Sequence, residues 1–80
     1  MDRSEIFSKV VEVTADIMGV EEEDLSEATT FDDLDADSLD RLQLVTALED
    51  EFGLEIDDEK LMAISSLSDA VDAIASAMEA

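Results

Sequence analysis

Apolar residues recur at helical intervals in three stretches of this chain. In the first, Ile6, Val10, Val13 and Ile17 follow one another at spacings of 4, 3 and 4, and Phe7, Val11, Thr14 and Met18 widen the same side. This spacing predicts a helix over Ser4–Met18, capped by Ser4 and closed by Gly19. A second helix is predicted over Ser38–Phe52, with Asp37 as its cap and Gly53 just past its end. A third starts near Ser66, where Ser66 and Asp69 have the spacing of a capping box, and carries the stripe Leu67, Val71, Ile74 and Met78. Residues 20–37 hold no sustained period and read as a long loop, pinned to the core by Val20, Leu25, Phe31 and Leu34. In the run LEIDDEKLMAI, Asp57 or Asp58 can cap a short helix over Asp58–Ala63. No strand alternation or internal repeat is present. The pattern predicts an all-α fold: a small antiparallel four-helix bundle of three main helices and one short one, with the long loop between helices I and II. Residues 1–80 read as a single domain.

The central helix carries two apolar stripes. At about 100° per residue, Leu44, Val45, Leu48 and Phe52 share one side, the expected core face. Leu39, Leu42 and Thr46 fall nearly opposite, flanked by Gln43, Glu49 and Asp50. A surface helix needs one apolar face, not two. The second stripe either packs under the long loop or meets a partner.

Charge decides which partners are admissible. Twenty-four Asp or Glu stand against four Lys or Arg, for a formal net charge of -20. Nucleic acid and anionic membrane both require a cationic surface and are excluded as partners. Basic protein surfaces are favoured, drawn in over long range. Such a charge also suits a disordered chain, but 46% of the residues are hydrophobic and fall in helical periods. The start MDRSEIF is not a signal peptide and no apolar run is long enough to span a bilayer, so a cytoplasmic protein is expected, without stable membrane insertion. Cys and His are absent, which removes thiolate chemistry and the usual base for a serine nucleophile. No enzyme is expected.

The stretch DLDADSLD, residues 33–40, concentrates the remaining chemistry. As a calcium loop it fails in both registers. Counted from Asp33, Ser38 stands where Gly is needed and Leu44 where the bidentate Glu is needed; counted from Asp32, Leu34 and Ala36 replace ligands. Clustered carboxylates attract Ca²⁺ or Mg²⁺ loosely, without a specific metal site. Ser38 then has two readings. It contributes to the helix start, as Ser commonly does, or it offers an exposed hydroxyl to another enzyme at a helix end that favours an attached phosphate.

Asp37–Asp40, D-S-L-D, resembles the attachment motif of the acyl carrier protein family, in its discrete, type II form. Around it, Gly19 after helix I, Asp33–Leu34, the run LVTALEDEFGLEI over 44–56 and the closing SLSDAVDAI follow the layout of that family over nearly the whole chain. The resemblance implies that Ser38, flanked by Asp37 and Leu39, carries 4′-phosphopantetheine, transferred from coenzyme A by a holo-acyl-carrier-protein synthase. Acyl groups would ride on it as thioesters. It implies docking of loading, transfer and synthase enzymes, through their basic patches, on Asp37, Leu39, Asp40, Leu42, Thr46, Glu49 and Asp50. It further implies an acyl pocket lined by Leu48, Phe52, Ile56, Ile64 and Ile74, and a monomeric carrier. The chain departs from the family pattern at Asp35, where Gly is usual, and at Arg41, Gln43 and Thr46 on helix II. Those departures point to a specialised carrier, for a secondary-metabolite, modified-lipid or aminoacyl pathway. A rival from another class is an acidic helical module that binds calcium or proteins without modification. A weaker rival is a mimic of nucleic acid that would not need Ser38.

Self-repulsion makes a first prediction. Raising the ionic strength until the Debye length falls from about 30 Å to about 8 Å should raise the thermal midpoint, as should millimolar Mg²⁺. A salt-independent midpoint in a calorimetric or circular-dichroism melt would contradict a charge-limited fold.

Overall fold

The computed structural model describes residues 2–79, with the side chain of Asp58 outside the description, so its capping role lies outside the described residues. Four helices form: α1 over Arg3–Met18, α2 over Ser38–Phe52, α3 over Asp58–Ala63 and α4 over Leu67–Glu79, with a single 3₁₀ turn at Glu22–Asp24. The expected all-helical bundle of three main helices and a short one is observed. Among the described residues the only β-type pairing is an isolated bridge between Thr30 and Ser66. No helix there is long and apolar enough to cross a membrane.

Helix α1 starts earlier than the sequence reading placed it. Asp2, not Ser4, is the cap: its carboxylate accepts from the Glu5 amide at 2.9 Å. A carboxylate satisfies that free amide and also suits the positive end of the helix, so it outcompetes the hydroxyl two residues on. Gly19 and Gly53 end α1 and α2 in the left-handed conformation, at φ 69° and 65°, where any Cβ is strained. The Ser66–Asp69 pair closes only half of the expected box. Ser66 Oγ accepts from the Asp69 amide at 3.2 Å, but the Asp69 carboxylate turns to Ser65, accepting from its amide at 3.1 Å and its hydroxyl at 2.9 Å. Those bonds hold the Asp69 carboxyl below the usual carboxylate range.

Helix α1 lies against both α2 and α4. Its Ile6, Val10 and Val11 meet Leu44, Val45 and Leu48 of α2 and Leu67, Val71 and Ile74 of α4 in one buried core. Fully burying each large side chain stabilises the fold by about 1.5–3 kcal/mol. Small residues complete the packing: Ala15, Ala70 and Ala73 are buried as well. Some expected core positions differ, among them Phe52, which is half-buried at the end of α2. Val13 and Ile17 are only half-buried, because Ala15 and Thr14 centre the inward face of α1. Met78 lies 39% exposed in the last turn of α4, beyond the reach of the other helices.

The long loop is pinned as expected, with Leu25 and Phe31 buried and Val20 and Leu34 half-buried. Backbone bonds pin it too. Phe31 donates to the Ser65 carbonyl at 3.0 Å, and Leu67 and Ser68 donate to Thr29 and Glu27 at 3.0 and 3.1 Å. The loop therefore runs against the start of α4 before it turns into α2. Three cations reinforce the assembly. Arg3 binds Glu27 at 2.6 Å and also Asp72, tying α1 to the loop and α4. Lys9 binds Glu51 of α2 at 3.1 Å, and Lys60 of α3 donates to Ser76 of α4 at 3.2 Å.

Among the described residues one buried side-chain polar group has no partner. The Thr14 hydroxyl is fully enclosed and makes no hydrogen bond. Thr14→Val keeps the branched shape and removes that hydroxyl, and should raise stability by about 1 kcal/mol. A urea titration that showed Thr14→Val to be the less stable protein would place a bonding partner on this hydroxyl.

Candidate functional site

The acidic run before α2 is built as a series of local turns. Thr30 and Asp33 bond reciprocally: the Thr30 amide donates to the Asp33 carboxylate and the Asp33 amide to the Thr30 hydroxyl, both at 3.1 Å. The amides of Leu34 and Ala36 then donate to the Phe31 carbonyl at 3.1 and 3.0 Å, wrapping the turn around a buried ring. Asp35 sits at φ 56°, the left-handed region, and is the only residue besides the two glycines with positive φ among the described residues. That is the position where the sequence reading noted Asp in place of Gly.

Asp37 caps α2 as expected, and it does so reciprocally. Its carboxylate accepts from the Asp40 amide at 2.9 Å, while the Asp40 carboxylate accepts from the Asp37 amide at 3.3 Å. The aspartates of the run thus point to separate tasks. Among the described residues no three carboxylates converge as ligands for one ion.

Ser38 is the first residue of α2 and is exposed. The cap uses the Asp40 amide, which leaves the start of the helix and its positive end beside the Ser38 hydroxyl. A groove of about 210 Å³ opens at that hydroxyl, lined by Ser38, Arg41, Leu42, Leu61 and Met62. It runs between α2 and α3. An anionic ester on Ser38 fits this place: the helix start favours its charge, and the mainly apolar groove offers a bed for a flexible arm.

The second stripe of α2 does not pack under the loop. Leu39 is 73% and Leu42 50% exposed. Thr46 is exposed beside them, its hydroxyl donating to the Leu42 carbonyl at 2.9 Å. Asp50 is exposed at the far end. Glu49 is half-buried, and its carboxylate accepts from the Ile56 amide at 2.8 Å, so it also braces the turn after α2. Of the four acidic residues expected to dock partners, Asp37, Asp40, Glu49 and Asp50, only Asp50 lacks such a structural bond among the described residues.

The expected pocket residues divide. Leu48, Ile64 and Ile74 are 1%, 3% and 0% exposed and belong to the closed core, while Phe52 and Ile56 are half-buried at its edge. Leu48, Phe52 and Ile74 line none of the principal grooves.

Two groove residues escaped the sequence reading. Met62 is 81% exposed. Leu61 and Met62 are adjacent, about 100° apart on a helix, so a short helix that buries one must expose the other; that was the available signal. Arg41 gives no such signal. It reads as a cation on the docking face, yet its guanidinium turns inward, donating to the Ile64 carbonyl at the end of α3 and lying 5.4 Å over the Phe31 ring.

Comparisons with known proteins agree with this geometry. A family profile described as a phosphopantetheine attachment site matches residues 8–74. The acyl carrier protein of Rubrobacter xylanophilus is 47% identical over 73 residues, covering 90% of this chain and 90% of that protein. That of Lactobacillus acidophilus is 43% identical over 77 residues, covering 95% and 96%. The crystal structure of the Thermotoga maritima acyl carrier protein superposes with a TM-score of 0.84 at 37% identity, over 99% of this chain and 93% of that one.

The Asp35 backbone yields a prediction. Asp35→Gly should raise stability by up to about 1 kcal/mol by relieving the left-handed strain. Asp35→Ala removes the same charge but keeps a Cβ, and should lower it. If both variants shifted the urea midpoint equally upward, charge and not backbone strain would be the cause.

Proposed function

The chain belongs to the acyl carrier protein family, and from that premise we propose that Ser38 is the residue that bears its prosthetic group. Membership in this family brings covalently attached 4′-phosphopantetheine. Acyl carrier proteins are carriers and not catalysts. The observation that supports Ser38 is its position: an exposed hydroxyl at the first residue of a capped helix, at the mouth of an apolar groove.

When bound, the group supplies a thiol that holds acyl cargo as a thioester. The residues of the chain do the rest. Asp37 and Asp40 hold the helix start in place, so that the Ser38 hydroxyl is presented and its anionic ester is stabilised by the helix end. Leu39, Leu42 and Thr46 offer partner enzymes an exposed strip with an apolar centre. Exposed apolar residues in a field of carboxylates fit partners with a basic rim and an apolar centre: the phosphopantetheinyl transferase first, then loading and transfer enzymes. Asp50 is free for the rim, while Glu49 shares its charge with the Ile56 amide.

The reading extends to a single carrier domain over residues 1–80 that works as a monomer in the cytoplasm. Its cargo belongs to fatty-acid, polyketide or specialised lipid synthesis. Gln43, exposed on the docking side, supports a specialised partner set. Arg41 no longer supports it, because its charge faces α3.

Incubation with coenzyme A and a broad-specificity phosphopantetheinyl transferase should add one phosphopantetheine by intact-mass measurement, and Ser38→Ala should abolish the gain. A mass gain that persisted in folded Ser38→Ala would move the attachment elsewhere.

A further inference from the structure

Arg41 is the one cation in the groove beside Ser38. The two residues are three apart on α2 and line the same groove. The guanidinium spans that groove: it donates to the Ile64 carbonyl and rests on the buried Phe31 ring. Ile64 is the residue that terminates α3, where a helix leaves carbonyls without intrahelical donors. A charged donor makes a strong bond there.

Helix α3 has little else to hold it. It is six residues long, with half-buried Leu61 inside it, buried Ile64 at its end and the exposed Lys60–Ser76 bond on its other side. Displacing it is among the cheaper motions of the fold. Beneath it, Leu48, Ile64 and Ile74 fill the core. An alkyl chain that left Ser38 for the interior would have to part α3 from α2. That would break the Arg41–Ile64 bond and strand a half-buried guanidinium, which burial penalises.

We propose that Arg41 determines which cargo this carrier shelters: it straps the end of α3 to α2 and closes the way from their outer groove into the core, so that cargo lies in that groove on Leu42, Leu61 and Met62. Leu48 and Ile74 then stay core and do not line a pocket. The groove suits short acyl groups, and longer chains remain open to solvent and to partners. The proposal deepens the carrier reading and rests on it.

The test compares wild type, Arg41→Met, which keeps an alkyl stem over Phe31 but cannot donate, and Arg41→Ala. Each holo protein is charged with butyryl or octanoyl groups, and thioester cleavage by hydroxylamine is timed. The wild type should lose both cargoes at equal rates. In the variants, octanoyl should be protected relative to butyryl, by about fourfold for each methylene sheltered. Amide exchange in α3 of the unmodified variants should quicken about tenfold. Protection of octanoyl in the wild type would overturn the proposal, as would a folded Arg41→Met with unchanged α3 exchange or with octanoyl as exposed as in the wild type. The wild-type comparison stands even where Arg41→Ala fails to fold. The exchange measurement needs no prosthetic group, so a failure of Ser38 to accept one would sink the carrier reading while the strap is still read separately.

Discussion

Mutual repulsion among twenty-four carboxylates, set against four cations, is the constraint that shapes this molecule. Each cation bridges different elements: Arg3 joins α1 to the loop and α4, Lys9 joins α1 to α2, Arg41 joins α2 to α3, and Lys60 joins α3 to α4. Exposed pairs of this kind contribute at most about 1 kcal/mol each. The buried core supplies most of the stability, and the cations decide which elements approach one another under the charge. A second economy handles the carboxylates themselves. Asp2, Asp33, Asp37, Asp40, Glu49 and Asp69 accept backbone amides, so that six of the twenty-four carboxylates sit where free N–H groups need them.

The helices and the exposed second stripe of α2 were legible because periodicity reports burial directly. The spans of α2 and α3 agree with the sequence reading, and the second stripe of α2 is exposed as the two-sided pattern implied. Ser38 stood out for another reason, its place in the D-S-L-D motif at a predicted helix start. What escaped depends on contacts between distant residues. Nothing in residues 20–37 says that Phe31 bonds to Ser65 and Thr29 to Leu67 through their backbones, because a backbone group carries no sequence signature. Arg41 was misjudged because a wheel gives the direction of a Cβ, whereas a long side chain can fold back across a groove to a carbonyl. The Asp2 cap lay four residues before Ile6, where the apolar period that located α1 begins.

Strain and disorder of charge both gather around Ser38. The chain reaches it through a left-handed Asp35, a reciprocal cap and a turn wound on Phe31. Phe31 also lies under Arg41, so one buried ring supports both the turn that leads to Ser38 and the guanidinium beside it. Local strain of this type persists only where the surroundings over-determine it. The geometry of the carrier site therefore depends on the loop as much as on α2.

The central claim is that an acidic chain presents Ser38 at a capped helix end to basic enzymes. The most direct measurement is the salt dependence of kcat/KM for phosphopantetheinyl transfer, taken where both proteins stay folded. The account expects efficient transfer at low ionic strength that falls steeply, about tenfold or more, as the Debye length shrinks from about 30 Å to about 8 Å. Transfer that is independent of salt would contradict electrostatic presentation by this face, and absence of transfer by a proven enzyme would contradict Ser38 as the bearer.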